Sequence, residues 1–267
     1  MREYTEELKK EYLKDYDGDK LLKVVNKIGG FSTSPESNKT VIYSAIFGKR
    51  DKLLDPEIIN PNFDYIMFTD NEEFISDVWD IRIVPRTYPK DPTRSARIYK
   101  MLPHKFLSEY DVSVWIDGNH IIVGSIEKLV DEYLSNSDLA VYDHSKMKNF
   151  GRNCIYNEAR FYLKKKQIGV NIRTKDRKKL KKQIRRYREE GYPEENGLIV
   201  SSVILRRHNE PDVINFCDKW WKEILYGCKR DQLSFNYVQW LTNFEFDFIE
   251  GDARNNTTFK VVKHKGR

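Results

Sequence analysis

Apolar positions along the chain form short, nearly continuous runs that alternate with amphipathic stretches, and this pattern predicts alternating strands and helices. The runs at 40–48 and 112–116 contain few polar residues, which is typical of strands covered on both faces. Strands are expected at residues 40–48, 64–70, 79–84, 112–116, 139–142, 197–205 and 246–249. Helices are expected at residues 92–108, 178–188 and 230–240, and around Phe216 and Trp220. The expected fold is a single α/β domain with a mainly parallel mixed sheet and helices on both faces.

The first 39 residues are expected to lie outside this domain. Leu8, Tyr12 and Leu21 recur at helix-like spacing within residues 1–28, which predicts helix there. Residues 29–39 are rich in Gly, Ser and Pro, a composition that indicates a linker. We therefore expect an N-terminal helical extension and linker at 1–39 and the main domain at 40–267.

The net charge of +6 is concentrated in residues 164–188, where thirteen Lys or Arg residues accompany a single acid, Asp176. Two interpretations are open: a solvated helix face, or a surface that docks an anionic acceptor, a polyanion or a membrane from one side. Nucleic acid is not an expected partner, because no binding motif interleaves aromatic residues with these charges. The chain lacks an apolar run of roughly 20 residues and an apolar amino terminus, which predicts a cytoplasmic location.

An acidic turn follows the predicted strand at 112–116. Asp117 and Asn119 can face one ion, because they are two residues apart and Gly118 lets the chain turn between them. Mg²⁺ and Mn²⁺ take oxygen ligands and share their shell with substrate phosphates. Open α/β sheets bind ligands at the carboxyl ends of their strands, so the sequence favours a nucleotide-sugar site here. A simple tight turn is the alternative.

Further candidates lie at the end of the strand at 64–70 and on the helix that follows it. Asp70 is expected to bind the base or ribose of a nucleotide, although it also fits a helix N-cap. Arg94, Arg97 and Lys100 recur every three residues and therefore line one flank of a helix. They are expected to neutralise a diphosphate, with solvated surface charge as the alternative.

The carboxyl-terminal part of the chain adds five candidates. Ser201 and Ser202 are small residues within an apolar strand, which indicates either close approach of a ligand or ordinary packing. Asp231 and Gln232 lie at the start of a predicted helix, where Asp231 could be a cap or a first-turn acid. Alternatively, both lie beside the anomeric carbon of the sugar, one as base or stabiliser and the other as a hydrogen-bonding group. His264 is a candidate third metal ligand, with a frayed terminus as the alternative.

Six segments within residues 40–242 resemble, in order, the blocks of a known family. They are VIYSAIFGKRDKL, DYIMFTD, DPTRSARIYKMLPH, EYDVSVWIDGN, EEGYPEENGLIVSSVILRRHN and RDQLSFNYVQW. The family is the glycosyltransferase-like family typified by plant proteins of seed mucilage and turgor regulation, formerly a domain of unknown function. It is similar to nucleotide-sugar transferases of the GT-A type, which combine a Rossmann-like sheet, an Asp-x-Asp metal motif and a UDP- or GDP-sugar donor.

This resemblance implies a role for each candidate residue. Asp117 and Asn119 take the metal-motif positions, and Asp231 and Gln232 resemble an Asp-Gln block near the transferred sugar in transferases with a glycogenin-like plan. The implied donor-side residues are Asp70, Arg94, Arg97 and Lys100. The second acid of the metal motif is an asparagine here, and an amide binds a divalent ion more weakly than a carboxylate. Asp117, His264 and the diphosphate are therefore expected to supply most of the shell of a Mn²⁺ or Mg²⁺ ion.

The sequence thus predicts a glycosyltransferase that moves a sugar from a nucleotide diphosphate to a hydroxyl of a glycan, lipid-linked or small-molecule acceptor. One alternative is a metal-dependent hydrolase or nucleotidyltransferase that uses the same edge of the sheet. A second alternative is a non-catalytic module that binds a polyanion through residues 164–188.

Overall fold

The computed structural model describes residues 40–49, 51–164 and 174–263. The predicted extension and linker at 1–39 and the candidate ligand His264 lie outside these residues. The described strands are Thr40–Ile46 (β1), Phe63–Thr69 (β2), Asp80–Ile83 (β3), Val112–Ile116 (β4), His120–Ile122 (β5), Leu139–Asp143 (β6), Ile199–Arg206 (β7), Asp247–Ile249 (β8) and Phe259–Val261 (β9). The described α-helices are Pro92–Met101 (α1), Ile126–Tyr133 (α2), Ile155–Lys164 (α3), Thr174–Glu189 (α4), Pro211–Tyr226 (α5) and Gln232–Thr242 (α6).

Seven of these strands form one mixed sheet in the order β3-β2-β1-β4-β7-β6-β8. β1 is parallel to both β2 and β4, and β7 is antiparallel to both β4 and β6. The predicted α/β fold with a mainly parallel mixed sheet is therefore confirmed. β1, β2, β4 and β6 all end at one side of the sheet, which we call the carboxyl edge.

Helices cover both faces of the sheet. Successive side chains of a strand point to opposite sides, so each strand contributes to two separate core clusters. Tyr43 of β1 joins a core cluster with Trp220 of α5 and Phe235 of α6. Its neighbour Ile42 belongs to the opposite cluster, which includes Ile126 of α2. Burial on both faces explains why the strand sequences are apolar runs rather than alternating patterns.

The structure differs from the sequence prediction at several elements. The helix expected at 92–108 ends at Met101, because Pro103 has no backbone N–H for the helix and begins a 3-10 turn instead. β5 and β9 were not predicted; they form a separate antiparallel pair after the acidic turn. Each is three residues long, too short to show a period in the sequence.

The basic segment forms α4, and its two sides have different surroundings. Leu180 and Tyr187 are fully buried, whereas the cations on the outer side are exposed. These outward residues include Lys178, Lys181, Lys182 and Arg185. Within the part of the chain that the structure describes, no helix combines the length and the apolar character that a membrane span requires.

Candidate functional site

Four charged side chains from three parts of the sequence meet at the carboxyl edge. The Nζ of Lys100 lies 3.1 Å from Oδ1 of Asp117 and 2.7 Å from Oδ2 of Asp231. The guanidinium of Arg97 lies 3.9 Å from Oδ1 of Asp117 and 3.4 Å from Oδ1 of Asp231. We call these four residues the site cluster. Two cations and two carboxylates make its formal charge zero.

The local sequence of α1 explains how the two cations reach this position. Asp91 caps the helix by accepting from the backbone N of Arg94, and Pro92 occupies the first turn, where its missing N–H has no consequence. Residues three apart share a helix face, so Arg97 and Lys100 project together toward the end of β4. Lys100 is fully buried, which fixes its ammonium between the carboxylates.

Asp117 is held firmly although it lies in a turn. The indole Nε1 of Trp115 donates to its Oδ1 at 2.8 Å, and its backbone N donates to the carbonyl of Ser202 at 2.8 Å. A Cβ on Gly118 would lie 2.6 Å from Ile46 Cγ1, so the turn requires glycine to pack against β1. The side chain of Asp117 is 30% exposed, and no described residue donates a hydrogen bond to its Oδ2. One carboxylate oxygen is thus available to a ligand.

Asp231 occupies the N-cap position of α6, but its side chain does not cap the helix. Its Oδ2 instead accepts from Lys100 and from the hydroxyl of Ser201 at 2.9 Å. The side chain is 3% exposed. The side chain of Asp231 therefore does not act as the helix cap, and its role beside a sugar stays a prediction.

The charges of the site cluster set its electrostatics. Burial raises the pKa of Asp231, but Arg97, Lys100 and the Ser201 hydroxyl outweigh it and hold that pKa well below the usual range. The pKa of Asp117 is lowered as well, since Lys100 and Arg97 outweigh the effect of burial. Both carboxylates are therefore ionised at neutral pH. Asp231 is a poor proton acceptor but a strong electrostatic partner.

Arg94 lies apart from the site cluster. Its Nε and Nη2 donate to the carbonyls of Ile224 and Gly227 at 3.2 and 2.7 Å, and Nη1 lies 3.3 Å from Asp91. Cations at a helix C-terminus satisfy the last carbonyls and the negative end of the dipole. Arg94 thus joins α1 to the end of α5, although the sequence pattern placed it on one flank with Arg97 and Lys100.

Asp70 lies after β2 on the same carboxyl edge. Its Oδ1 accepts from the backbone N of Gly48 at 2.8 Å, and its Oδ2 forms a short ion pair with Arg86. Gly48 has a φ of 74°, in the left-handed region that favours glycine. β1 separates β2 from β4, so Asp70 and Asp117 follow strands roughly 10 Å apart.

Ser202 of β7 and Gln232 of α6 both make backbone contacts near the site cluster. The hydroxyl of Ser202 is buried and has no partner among the described residues, whereas its carbonyl accepts from Asp117. The Nε2 of Gln232 donates to the carbonyl of Ile199 at 2.9 Å, which anchors the start of α6 on β7. Gln232 therefore helps to position Asp231.

The side chain of Asn119, the second residue of the predicted metal motif, has partners other than Asp117. Nδ2 of Asn119 donates to the carbonyl of Val262 at 3.0 Å, and its Oδ1 lies 3.2 Å from Nδ1 of His120. Within residues 40–49, 51–164 and 174–263, no group of three or more His, Cys, Asp or Glu side chains could hold a metal ion. A cation with one or two protein ligands that shares its shell with phosphates and water still fits this arrangement. Asp117 Oδ2 is the described atom suited to it.

A second ionic cluster lies on the same edge, and no sequence pattern predicts it. Glu158 of α3 is fully buried between Arg152 and Arg230, at 2.7 and 2.6 Å. Arg230 directly precedes Asp231 in the chain, and His144 follows β6 beside them. Arg152 and Arg230 are far apart in sequence, so their shared contact with Glu158 could not be predicted without the fold.

Comparisons with known proteins place the chain in a domain family and show structural similarity to solved structures. The domain family described as TOD1/MUCI70, glycosyltransferase-like domain, matches residues 31–264. No curated protein matches the chain. The apo structure of the bifunctional glycosyltransferase WbbM is similar with a TM-score of 0.44 and 10% identity, over 82% of this chain and 39% of that chain. The chain therefore spans well under half the length of that protein, while the family match includes every strand from β1 to β9.

Proposed function

Since the chain belongs to the TOD1/MUCI70 glycosyltransferase-like family, we propose that it transfers a sugar from a UDP- or GDP-sugar to a hydroxyl of a glycan, lipid-linked or small-molecule acceptor. The observation that carries this proposal is the site cluster. It brings two fixed cations and two ionised carboxylates to the carboxyl edge of an α/β sheet, where such folds bind nucleotides.

The diphosphate of the donor fits beside Arg97. The Nε of Arg97 is buried and has no partner among the described residues, and its side chain is 18% exposed. A guanidinium binds phosphate through paired N–H donors. During transfer the bond between the anomeric carbon and the diphosphate oxygen breaks, the acceptor oxygen bonds to that carbon, and the acceptor hydroxyl proton passes to the departing diphosphate or to water. Negative charge develops on the diphosphate oxygen. A fixed guanidinium stabilises this charge most in the transition state.

Lys100 has a different role in the proposal, because its ammonium is buried and already bound by two carboxylates. It keeps Asp117 and Asp231 at fixed positions on either side of one cation. Asp231 then stabilises positive charge that develops at the anomeric carbon, rather than acting as a base, since Lys100 and Ser201 occupy its oxygen Oδ2.

A divalent cation, Mn²⁺ or Mg²⁺, is proposed to arrive with the donor. Asp117 Oδ2 would hold it, with Asn119 and His264 as further candidate ligands. When bound, such an ion would neutralise charge on the diphosphate. The protein residues supply the remaining work: Trp115 and Lys100 fix the orientation of the Asp117 carboxylate, and Gly118 keeps the turn close to β1.

The acceptor side of the proposal includes the exposed face of α4. Lys178, Lys181 and Lys182 point outward, and no described acid lies within ion-pair distance of them. A row of cations suits an anionic acceptor or the phosphate groups at a membrane surface. Arg185 is not counted in this row, because its guanidinium pairs with Glu189 at 3.4 Å.

A melting experiment with nucleotides tests the proposed donor. The full chain is heated alone and with UDP, GDP or AMP, each with and without Mn²⁺. We expect UDP or GDP to raise the melting temperature, more strongly with Mn²⁺, since a ligand at 100 times its Kd adds about 2.7 kcal/mol of stability. No response to any nucleoside diphosphate would contradict the proposal.

Product analysis separates transfer from the hydrolase alternative. The nucleotide sugar that gives the largest shift is incubated with candidate acceptors. Glycosylated acceptor is the expected product. Release of free sugar at the same rate with and without every acceptor would favour hydrolysis instead.

A further inference from the structure

Resting on the proposed transfer, we infer that Arg152 and Arg230 form a binding site for an anionic group, a phosphate or a carboxylate, carried by the acceptor. The two guanidiniums lie on the carboxyl edge next to the site cluster. Arg230 begins the last of the six segments that resemble the family blocks, whereas Arg152 and Glu158 lie outside all six.

The first observation is the excess of positive charge. Glu158 is 0% exposed, whereas the side chains of Arg152 and Arg230 are 19% and 26% exposed. One carboxylate shared by two guanidiniums leaves a formal charge of +1 that faces solvent. The buried acid between two partly exposed arginines therefore neutralises only one of the two guanidiniums and holds both where they reach solvent.

The second observation is that each guanidinium keeps donors for a ligand. Arg152 uses only Nε toward Glu158, and Arg230 uses Nε and Nη2. Neither Nη atom of Arg152, nor Nη1 of Arg230, has a hydrogen-bond partner among the described residues. Planar guanidinium donors match the oxygens of phosphate and carboxylate.

The third observation is rigidity. The guanidinium of Arg152 lies 4.4 Å from the ring centre of Phe161, and that of Arg230 lies 5.4 Å from the ring centre of Tyr162. Stacking on one side and the Glu158 carboxylate on another fix both planes before a ligand binds. Such preorganisation lowers the entropy lost on binding.

The position of the site indicates the acceptor rather than the donor. His144, whose Nδ1 accepts from the backbone N of Arg152 at 3.2 Å, follows β6, while Asp117 follows β4. β7 lies between these strands, which separates the two strand ends by roughly 10 Å. The anion site thus lies on the side of Asp231 away from Asp70, where the base of the donor is expected.

Binding of small anionic sugars tests the inference. Titration calorimetry on the full chain would compare glucose 6-phosphate, glucuronate and glucose. We expect at least one of the two anionic probes to bind and neutral glucose to bind at least tenfold more weakly. The stronger of the two anionic probes identifies the group as phosphate or carboxylate. Equal binding of all three, or no binding of any, would overturn the inference.

Variants assign that binding to the two arginines. Arg152→Gln and Arg230→Gln should each lower the affinity for the anionic probe about tenfold or more. Arg152→Lys keeps the positive charge but not the paired N–H donors of a guanidinium, and should lower that affinity less. Arg188→Gln is the matched control, because Arg188 is an exposed arginine paired with the exposed Glu194 at 3.0 Å. Wild-type affinity in both Gln variants, or an equal loss in Arg188→Gln, would refute the site.

The same proteins distinguish this inference from the proposed donor. Arg152→Gln should keep the melting response to nucleoside diphosphate and Mn²⁺. A wild-type chain that binds the anionic sugar but no nucleotide would reject the proposed function and leave the anion site standing. A chain that binds nucleotide but no anionic sugar would reject the anion site and leave the proposed function standing.

Discussion

Two buried ionic networks in this molecule use similar residues for different purposes. The site cluster joins α1, β4 and α6 at the carboxyl edge. The other network, which we call the packing cluster, lies between α4, α5 and α6. Its members are Gln183, Arg186, Tyr187, Glu190, Glu223 and Tyr237.

The difference is in how fully the polar atoms are used. In the packing cluster Oε2 of Glu223 accepts from Arg186, Tyr187 and Gln183 at 2.5, 2.6 and 3.0 Å. In the site cluster the Nε of Arg97 has no partner among the described residues, and Asp117 is 30% exposed. Complete pairing indicates a network that fastens helices, whereas unused donors and partly exposed acceptors indicate a network that binds a ligand.

The largest effect is expected at Asp117, where function and stability should separate. Asp117→Asn keeps the shape of the side chain and removes its charge, so transfer should fall about 10³-fold, or about 4 kcal/mol. Stability should fall by no more than about 2 kcal/mol, because Asp231 remains to pair with the buried ammonium of Lys100. Initial rates and urea unfolding measure the two quantities. Unchanged turnover would remove Asp117 from the mechanism.

The opposite result is expected in the packing cluster. Glu223→Ala leaves the guanidinium of Arg186 and the hydroxyl of Tyr187 without their buried acceptor, and should lower the free energy of unfolding by about 3 to 4 kcal/mol. Urea unfolding measures this loss. The nucleotide response of the folded protein should persist below the new melting temperature, and its disappearance would contradict the separation of the two clusters.

A pH effect of roughly 3 kcal/mol is expected from a residue outside both clusters. Burial lowers the pKa of His208 to about 4, from 6.5, and its Nε2 donates to the carbonyl of Leu107 at 2.7 Å. Below about pH 6.5 His208 takes up a proton in the unfolded chain but not in the folded chain. The contribution of His208 to the free energy of unfolding is therefore complete above that pH and is lost as the pH falls toward 4. Urea unfolding should show a flatter pH dependence in His208→Gln than in the wild type. Identical slopes would refute this assignment.

The smallest effect distinguishes two arginines of the same helix. Arg97→Gln should weaken nucleoside diphosphate binding about 30-fold, or about 2 kcal/mol, with little loss of stability. Arg94→Gln is the matched control, since its guanidinium binds the carbonyls at the end of α5. It should lower stability and leave nucleotide affinity unchanged. Similar losses of affinity in both variants would mean that α1 acts through its overall charge.

The sheet could be predicted from sequence because its strands are short apolar runs that end in acids or turns. The run at 112–116 and its acidic end needed no long-range information, and the same is true of Asp70 after β2. β5 and β9 could not be predicted, because a three-residue strand has no detectable period and its partner is distant in sequence.

The candidate site shows the same limit more clearly. Helical spacing placed Arg94, Arg97 and Lys100 on one flank, but it could not show that Arg94 lies against α5 while the other two reach Asp231. Asp231 itself fitted a helix cap equally well, and only the structure shows that its side chain contacts Ser201 and Lys100 instead of capping α6. The pairing of Arg152 with Arg230 depends on Glu158, and no local pattern predicts a contact over that sequence separation.

The central claim is that a nucleoside diphosphate binds at the site cluster. A crystal structure of the full chain with UDP or GDP and Mn²⁺, chosen by the melting response, tests it most directly. We expect the diphosphate within hydrogen-bonding distance of Arg97 and the cation at Oδ2 of Asp117. A nucleotide bound elsewhere, with the site cluster unchanged and in contact only with solvent, would contradict it.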